Sequence, residues 1–232
     1  MFFRSIIFYI LLYIWTLVLG ILFLPYLIIP KTNIRKLAIL WIDGILLNLK
    51  IICGITYEIN GIQNIPKKAV IIASKHQSTF ETLLLFKYIK NSIFIHKREL
   101  FFIPIFGLYL KKINMISINR ADGPNAIRKM LNQVNAKIKT GNSIIIFPEG
   151  TRKKPGEIPN YKTGIAGIYK ESETDVLPVA VNSGNYWPKY TFIKKSGKIT
   201  ITFLKIIPSK LDKKVFLEKI ESAIEKETKK II

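Results

Sequence analysis

The sequence predicts an α/β protein, a mixed central sheet flanked by helices, with an N-terminal membrane-associated helical motif. Two observations lead there. From Ser5 to Pro30 there is no charged residue, and beyond residue 55 short apolar runs alternate with helix-like segments separated by turn signals. At 232 residues, 49% of them hydrophobic, the chain has room for one full-sized domain and an accessory element. The expected division is residues 1–55 as membrane-anchoring helices and residues 56–232 as the α/β domain.

The run Ser5–Leu24 supplies the roughly 20 apolar residues a bilayer-crossing helix needs before Pro25 interrupts it. It is too long for the apolar part of a cleaved signal peptide, and no alanine precedes Ala38 to provide a small-residue cleavage site. The next segment, "NIRKLAILWIDGILLNLKIICGI", spaces Lys36, Asp43 and Lys50 by seven. That spacing gives a helix with a thin polar stripe, suited to a bilayer interface or to packing on the first helix. Lys31, Arg35, Lys36 and Lys50 outnumber the preceding Arg4, which places the remaining chain on the cytoplasmic side of the cell (inner) membrane.

Strands are expected at "TYEIN", "AVIIAS", "SIFIH", "MISIN", "SIIIF" and "VLPVAV". Helices are expected over Glu81–Ile89, Pro104–Lys112, Ala126–Lys139 and Thr163–Glu171. The third is opened by Asp122, Gly123 and Pro124 and stopped by Gly141. "YTFIKKSGKITITFLKII" reads as a hairpin turning at Ser196 and Gly197, and "KLDKKVFLEKIESAIEKETKK" as an amphipathic helix with a solvated charged face.

A formal charge of +21 calls for an anionic partner or membrane surface, unless the chain's bias toward Lys, Ile and Asn explains it. A nucleic-acid partner is not expected: the basic residues are dispersed and no recognition motif accompanies them. Cys53 is the only cysteine, which excludes an internal disulfide and a cysteine-ligated metal, and it reads as a buried thiol. The two histidines, His76 and His96, cannot form a multi-histidine metal site, and His96, on an alternating strand, reads as structural.

His76 lies just past the strand "AVIIAS" and just before a helix, with Glu81 five residues on. Strand ends in open sheets are where sites gather, and a carboxylate on one imidazole nitrogen fixes the tautomer that makes the other a base. A second strand ends in "FPEGTR", a tight turn presenting Glu149, Gly150, Thr151 and Arg152, with the guanidinium suited to a phosphate. Arg120, after "MISIN", and Lys97, in "HKRELFFIPIFG", add charge at further strand ends. Four such ends suggest one basic cleft.

Taken in order, "KHQSTFE", "KREL", "INR", "FPEGTR" and "VLPVAVN" resemble the motif blocks of the glycerolipid acyltransferases, most closely the bacterial 1-acyl-sn-glycerol-3-phosphate acyltransferases, over roughly residues 55 to 185. The His76 and FPEGTR blocks are specific together where either alone is not. The resemblance implies His76 as general base and Glu81 as its orienting carboxylate. It implies Glu149, Gly150, Thr151 and Arg152, with Lys97 and Arg120, as the binding site for an acceptor's glycerol phosphate, and Pro178 as shaping the cleft floor. The family's usual acid is aspartate, and Glu81 is longer by one methylene. No bound cofactor is implied. The co-substrate is an acyl thioester, on coenzyme A or acyl carrier protein, the lipid partners are the membrane and lysophosphatidic acid, and the product is phosphatidic acid.

The residues support direct transfer. No Gly-x-Ser-x-Gly elbow is present, Cys53 lies in the apolar N-terminal part, and Ser78 reads as a helix-capping hydroxyl. Backbone N–H groups at the helix start after His76 are candidates for an oxyanion site. Two alternatives stand beside this reading: another acceptor, glycerol 3-phosphate or a different lysolipid, and a membrane lipid-binding homologue with weak catalysis, which Glu81 keeps open.

Overall fold

A computed structural model describes residues 1–29, 33–119 and 123–232. Arg120, Lys31 and Asp122, each invoked above, lie outside the described residues.

The N-terminal part is built of α1 (Phe2–Leu22), a short α2 (Leu24–Ile28) and α3 (Ile34–Asn48), the last continuing through a π turn over Leu49–Cys53. Two tryptophans interlock α1 with α3. The Trp15 indole N–H donates to the Trp41 carbonyl at 3.0 Å, and the Trp41 indole N–H donates to Thr16 Oγ1 at 3.0 Å. Gly44 permits the approach: a Cβ there would stand 2.3 Å from Trp15 Nε1. The apolar stripe of α1 that faces away remains exposed, with Phe3 at 78%, Tyr13 at 68% and Leu17 at 57%.

Both ends of α1 are pinned to the domain below. The backbone N–H of Lys194 donates to Ser5 Oγ at 2.8 Å, and the Tyr109 hydroxyl donates to the Gly20 carbonyl at 2.8 Å. At 1.5 Å per residue the two anchors are about 22 Å apart, so α1 runs along the domain surface. Arg35 and Asp43 tie α3 to the same body. Arg35 donates to the carbonyls of Phe86 and Ile89, and Asp43 pairs with Lys87 at 2.6 Å. Of the three stripe residues, Asp43 thus meets the domain.

The sheet contains β1 (Ile55–Asn60), β2 (Ile71–Ser74), β3 (Ser92–Lys97), β4 (Ile116–Ile118), β5 (Ser143–Ile146), β6 (Val176–Val181) and β7 (Gly197–Phe203), in the order β1-β7-β6-β2-β5-β3-β4. Strands β6, β2, β5, β3 and β4 run parallel; β7 is antiparallel to β6, and β1 is parallel to β7. The central strands read as continuous apolar runs because helices cover both faces, and every residue of β2 and β6 is buried. The helices are α4 (Phe80–Tyr88), α5 (Phe106–Lys112), α6 (Pro124–Lys139), α7 (Gly164–Ser172) and α8 (Lys213–Ile231). Helix α8 buries Phe216, Ile220 and Ile224 at a spacing of four, each contributing roughly 1.5–3 kcal/mol, and Phe216 stacks on Tyr169 at 3.8 Å.

The expected hairpin is not there. Gly197 opens β7, and the segment before it forms no strand. Residues that would have paired with β7 bind the N-terminal helix instead: Phe192 stacks on Tyr9 at 4.8 Å, and Lys194 donates to the Tyr9 hydroxyl at 2.7 Å. Gly197 itself, at φ 149°, is pressed against the Tyr186 ring, which a Cβ would meet at 2.2 Å. The side of β7 left open is taken by β1, the first strand of the domain.

Candidate active site

Because five strands run in one direction, their C-terminal ends share one edge of the sheet. His76 follows β2, Phe147 follows β5, Lys97 ends β3 and Ser183 lies just past β6. The His76 ring stacks on Phe147 at 3.8 Å, so the two motif corners touch.

Glu81 sits in the first turn of α4 with no exposed surface. Its Oε1 accepts from His76 Nδ1 at 2.8 Å and from the backbone N–H groups of Gln77 and Ser78 at 2.7 Å each. Its Oε2 accepts from the Ser183 hydroxyl at 2.7 Å. Buried carboxylates persist where hydrogen bonds replace water, and here four donors do so. A carboxylate already accepting two backbone N–H groups on the same oxygen accepts from Nδ1 as well, so the ring proton belongs there and Nε2 carries the lone pair.

Ser78 Oγ accepts from the Phe80 N–H at 3.1 Å, a role at the helix start. The amides of Gln77, Ser78 and Phe80 are therefore all engaged, which removes them as the oxyanion donors the sequence suggested.

The second corner divides. Glu149, expected beside the acceptor's phosphate, does not face the opening with its neighbours: its side chain is fully buried. One oxygen accepts from the His76 backbone N–H at 2.9 Å, and the other pairs with Lys75 Nζ at 2.7 Å. Burial pushes the Glu149 carboxyl above the ordinary range, against the pull of Lys75 and the His76 amide. The Lys153 N–H donates to the His76 carbonyl at 2.8 Å, so the His76 backbone is held on both sides by the FPEGTR turn and the residue after it. Gly150 turns the chain at φ 66°, leaving Thr151 exposed and Arg152 partly so.

Arg152 lines a cavity of about 300 Å³ between the N-terminal helices and α4. Tyr9, Leu12, Trp41, Leu83 and Trp187 supply its apolar wall, while Arg152, Lys189 and Thr79 are polar lining residues, Thr79 lying three positions after His76 in the sequence. Lys189 Nζ also reaches Thr151 Oγ1 at 3.3 Å. Lys97 is exposed at the same edge, two strands from β2 and so roughly 10 Å across the sheet. Pro178 lies buried in β6 beside Ala73. His96 Nδ1 donates to the Lys97 carbonyl at 2.7 Å, and the ring packs edge-on to Phe101, in keeping with a structural role; burial lowers its basicity.

Sequence reasoning missed Lys75, Ser183 and Lys189. The block "VLPVAVN" stops one residue short of Ser183, and Lys75 adjoins His76; both signals were in view, but only the fold shows what they meet.

A family model described as Acyltransferase matches residues 56–182. Over 200 residues the chain is 34% identical to the 1-acyl-sn-glycerol-3-phosphate acyltransferase of Pseudomonas aeruginosa, covering 85% of this chain and 78% of that protein. It is 25% identical over 198 residues to the human 1-acyl-sn-glycerol-3-phosphate acyltransferase alpha, covering 84% and 69% of the two chains. The crystal structure of the 1-acyl-sn-glycerophosphate acyltransferase of Thermotoga maritima matches with a TM-score of 0.81, over 98% of this chain and 94% of that one, at 22% identity. That last likeness speaks for the fold.

Proposed function

Because this chain belongs to the acyltransferase family, whose model matches more than half of it, we propose that it acylates the free hydroxyl of 1-acyl-sn-glycerol 3-phosphate from an acyl thioester, giving phosphatidic acid. One observation carries this reading: a histidine with its tautomer fixed by a buried carboxylate adjoins the FPEGTR turn, whose Arg152 lines an apolar cavity roofed by the N-terminal helices. A lysolipid has the matching parts: a hydroxyl, an anionic phosphate and a hydrocarbon tail.

In this scheme His76 and Glu81 are catalytic. The acceptor hydroxyl gives its proton to His76 Nε2 as its oxygen attacks the thioester carbonyl, and the imidazolium is stabilised by Glu81 across the 2.8 Å contact. The tetrahedral intermediate collapses by breaking the C–S bond, and the departing thiolate takes the proton back from Nε2. Arg152, joined by Lys189, Thr151 and Lys97, receives the phosphate, and Gly150 gives the turn its shape. Arg120 belongs to this set by its motif. Glu149 acts through the backbone of His76. Acyl-CoA and acyl carrier protein are both anionic donors that a +21 chain suits.

Residues 1–55 serve as the anchor and 56–232 as the catalytic unit. Pinned at both ends, α1 lies in one leaflet with its exposed apolar face in lipid, on the cytoplasmic side that the lysine-rich segment after it implies. His76→Ala lowers thiol release from an acyl thioester with lysophosphatidic acid by at least about 10³-fold while the protein stays folded. Wild-type turnover with glycerol 3-phosphate is far below that with lysophosphatidic acid. Normal turnover in the His76 variant rejects the scheme; a preference for glycerol 3-phosphate rejects the acceptor.

A further inference from the structure

We infer that Lys75 is a positioning residue: it clamps the backbone of the base to the C-terminal helix through two carboxylates. The inference rests on the acyl-transfer reading for its kinetic consequence and on the geometry alone for the clamp itself.

Lys75 is 2% exposed. A lysine is almost never buried unless paired, and this one has a carboxylate on each side. Its Nζ lies 2.7 Å from Glu149 Oε1 and 2.8 Å from Glu225 Oε1. Glu149 reaches on to the His76 N–H, and Glu225, on α8, also accepts from the Tyr161 hydroxyl at 3.0 Å. The Lys162 N–H, next along from Tyr161, donates to the Pro148 carbonyl at 2.8 Å, which closes the circuit on the FPEGTR turn. One ammonium thus joins the residue before the base, the turn beside it and a helix 150 residues away.

The charge arithmetic makes the clamp directional. Two carboxylates converge on one cation. Removing Lys75 leaves Glu149 buried with no counter-charge, so its carboxylate turns from the His76 amide toward water. The amide then loses its acceptor, and the imidazole shifts against the acceptor hydroxyl while the phosphate site at Arg152 is untouched. The signature is a fall in kcat without a matching rise in KM.

The test uses the full tag-free chain in detergent or vesicles with lysophosphatidic acid and an acyl thioester, reading thiol release. Lys75→Met lowers kcat about 10²-fold, the scale of an ångström-level misplacement, with KM within about threefold. Adding Glu149→Gln removes the orphaned charge but keeps an oxygen for the His76 amide, and restores about tenfold of the loss. Glu225→Gln, which leaves the Lys75–Glu149 pair in place, lowers kcat less, by about threefold or more, and decides the matter should Lys75→Met fail to fold. Lys219→Gln, exposed on the same helix, is the control.

A second readout does not depend on turnover. With only two histidines in the chain, the ring ¹⁵N resonances of His76 are separable from those of His96, and they move in the Lys75 and Glu225 variants while His96 stays in place. Unmoved His76 resonances together with kcat within twofold of wild type overturn the inference, and so does a double variant no better than Lys75→Met. Wild-type protein that fails to acylate lysophosphatidic acid, yet whose His76 resonances respond to Lys75→Met, overturns the functional reading and leaves the clamp standing.

Discussion

The corner around His76 and the surface of α1 are built on opposite plans. At the corner, the groups of Glu81 and Glu149 meet protein partners at 2.7–2.9 Å, and solvent is nearly absent. Along α1, a few polar locks hold one side, while the other side is apolar and uncovered. The first region is complete in itself; the second leaves an apolar face uncovered. Polar geometry that must be right to a fraction of an ångström is supplied by the chain's own groups, while α1 offers a surface whose attraction is non-directional.

The sharpest way to break this contrast is at Glu81. Glu81→Gln keeps the shape of the corner, since the amide oxygen can accept from His76 Nδ1, Gln77 and Ser78 while the amide nitrogen donates to the Ser183 oxygen. Only the charge that stabilises the imidazolium is lost. Turnover falls about 10²-fold with lysophosphatidic acid affinity unchanged, and thermal unfolding shows the fold intact. An effect confined to KM would mean that the corner binds and does not catalyse.

A smaller and different effect follows at the anchor. Gly44→Leu drives a side chain into Trp15 and separates α1 from α3, costing about 1–3 kcal/mol of packing. KM for vesicle-borne lysolipid rises several-fold, while turnover of a short-chain, water-soluble lysolipid stays within about threefold. Equal losses on both substrates would show that α1 shapes the reacting groups as well as placing them.

The smallest effect sits where the two regions meet. Lys194 is buried against the Tyr9 and Trp187 rings, and burial lowers its pKa from 10.5 to about 8. Below pH 8 the ammonium is charged in both folded and unfolded chains and its burial is a cost. Between pH 8 and 10.5 the folded chain gives up the proton while the unfolded chain keeps it, so stability rises with pH across that window. Lys194→Met lacks this term. The melting temperature of the wild type relative to the variant climbs by roughly 2–4 °C from pH 8 to 10.5, about 1 kcal/mol, and a flat difference removes Lys194 as the cause.

Much of this was legible beforehand because it was local. The strands announced themselves as apolar runs, α6 and α8 by their periodicity, and His76, Glu81 and the FPEGTR turn by their place at strand ends. What escaped depended on partners distant in sequence. Nothing in "YTFIKKSGK" says that Phe192 and Lys194 will bind a helix almost two hundred residues earlier. Glu149 and Arg152 stand together in the sequence, but only the positive φ at Gly150 separates one into the interior and the other to the cavity. Lys75 was passed over because its meaning lies in Glu225.

The order in which the chain is made adds a consequence. The residues of α1 are made well before Glu225, which follows Lys75 by 150 residues, about 8–30 s later at 5–20 residues per second. During that interval α1 can already fold while the histidine's surroundings still lack their far wall. The polar corner is therefore the later of the two regions to mature, and it closes only when the last helix arrives.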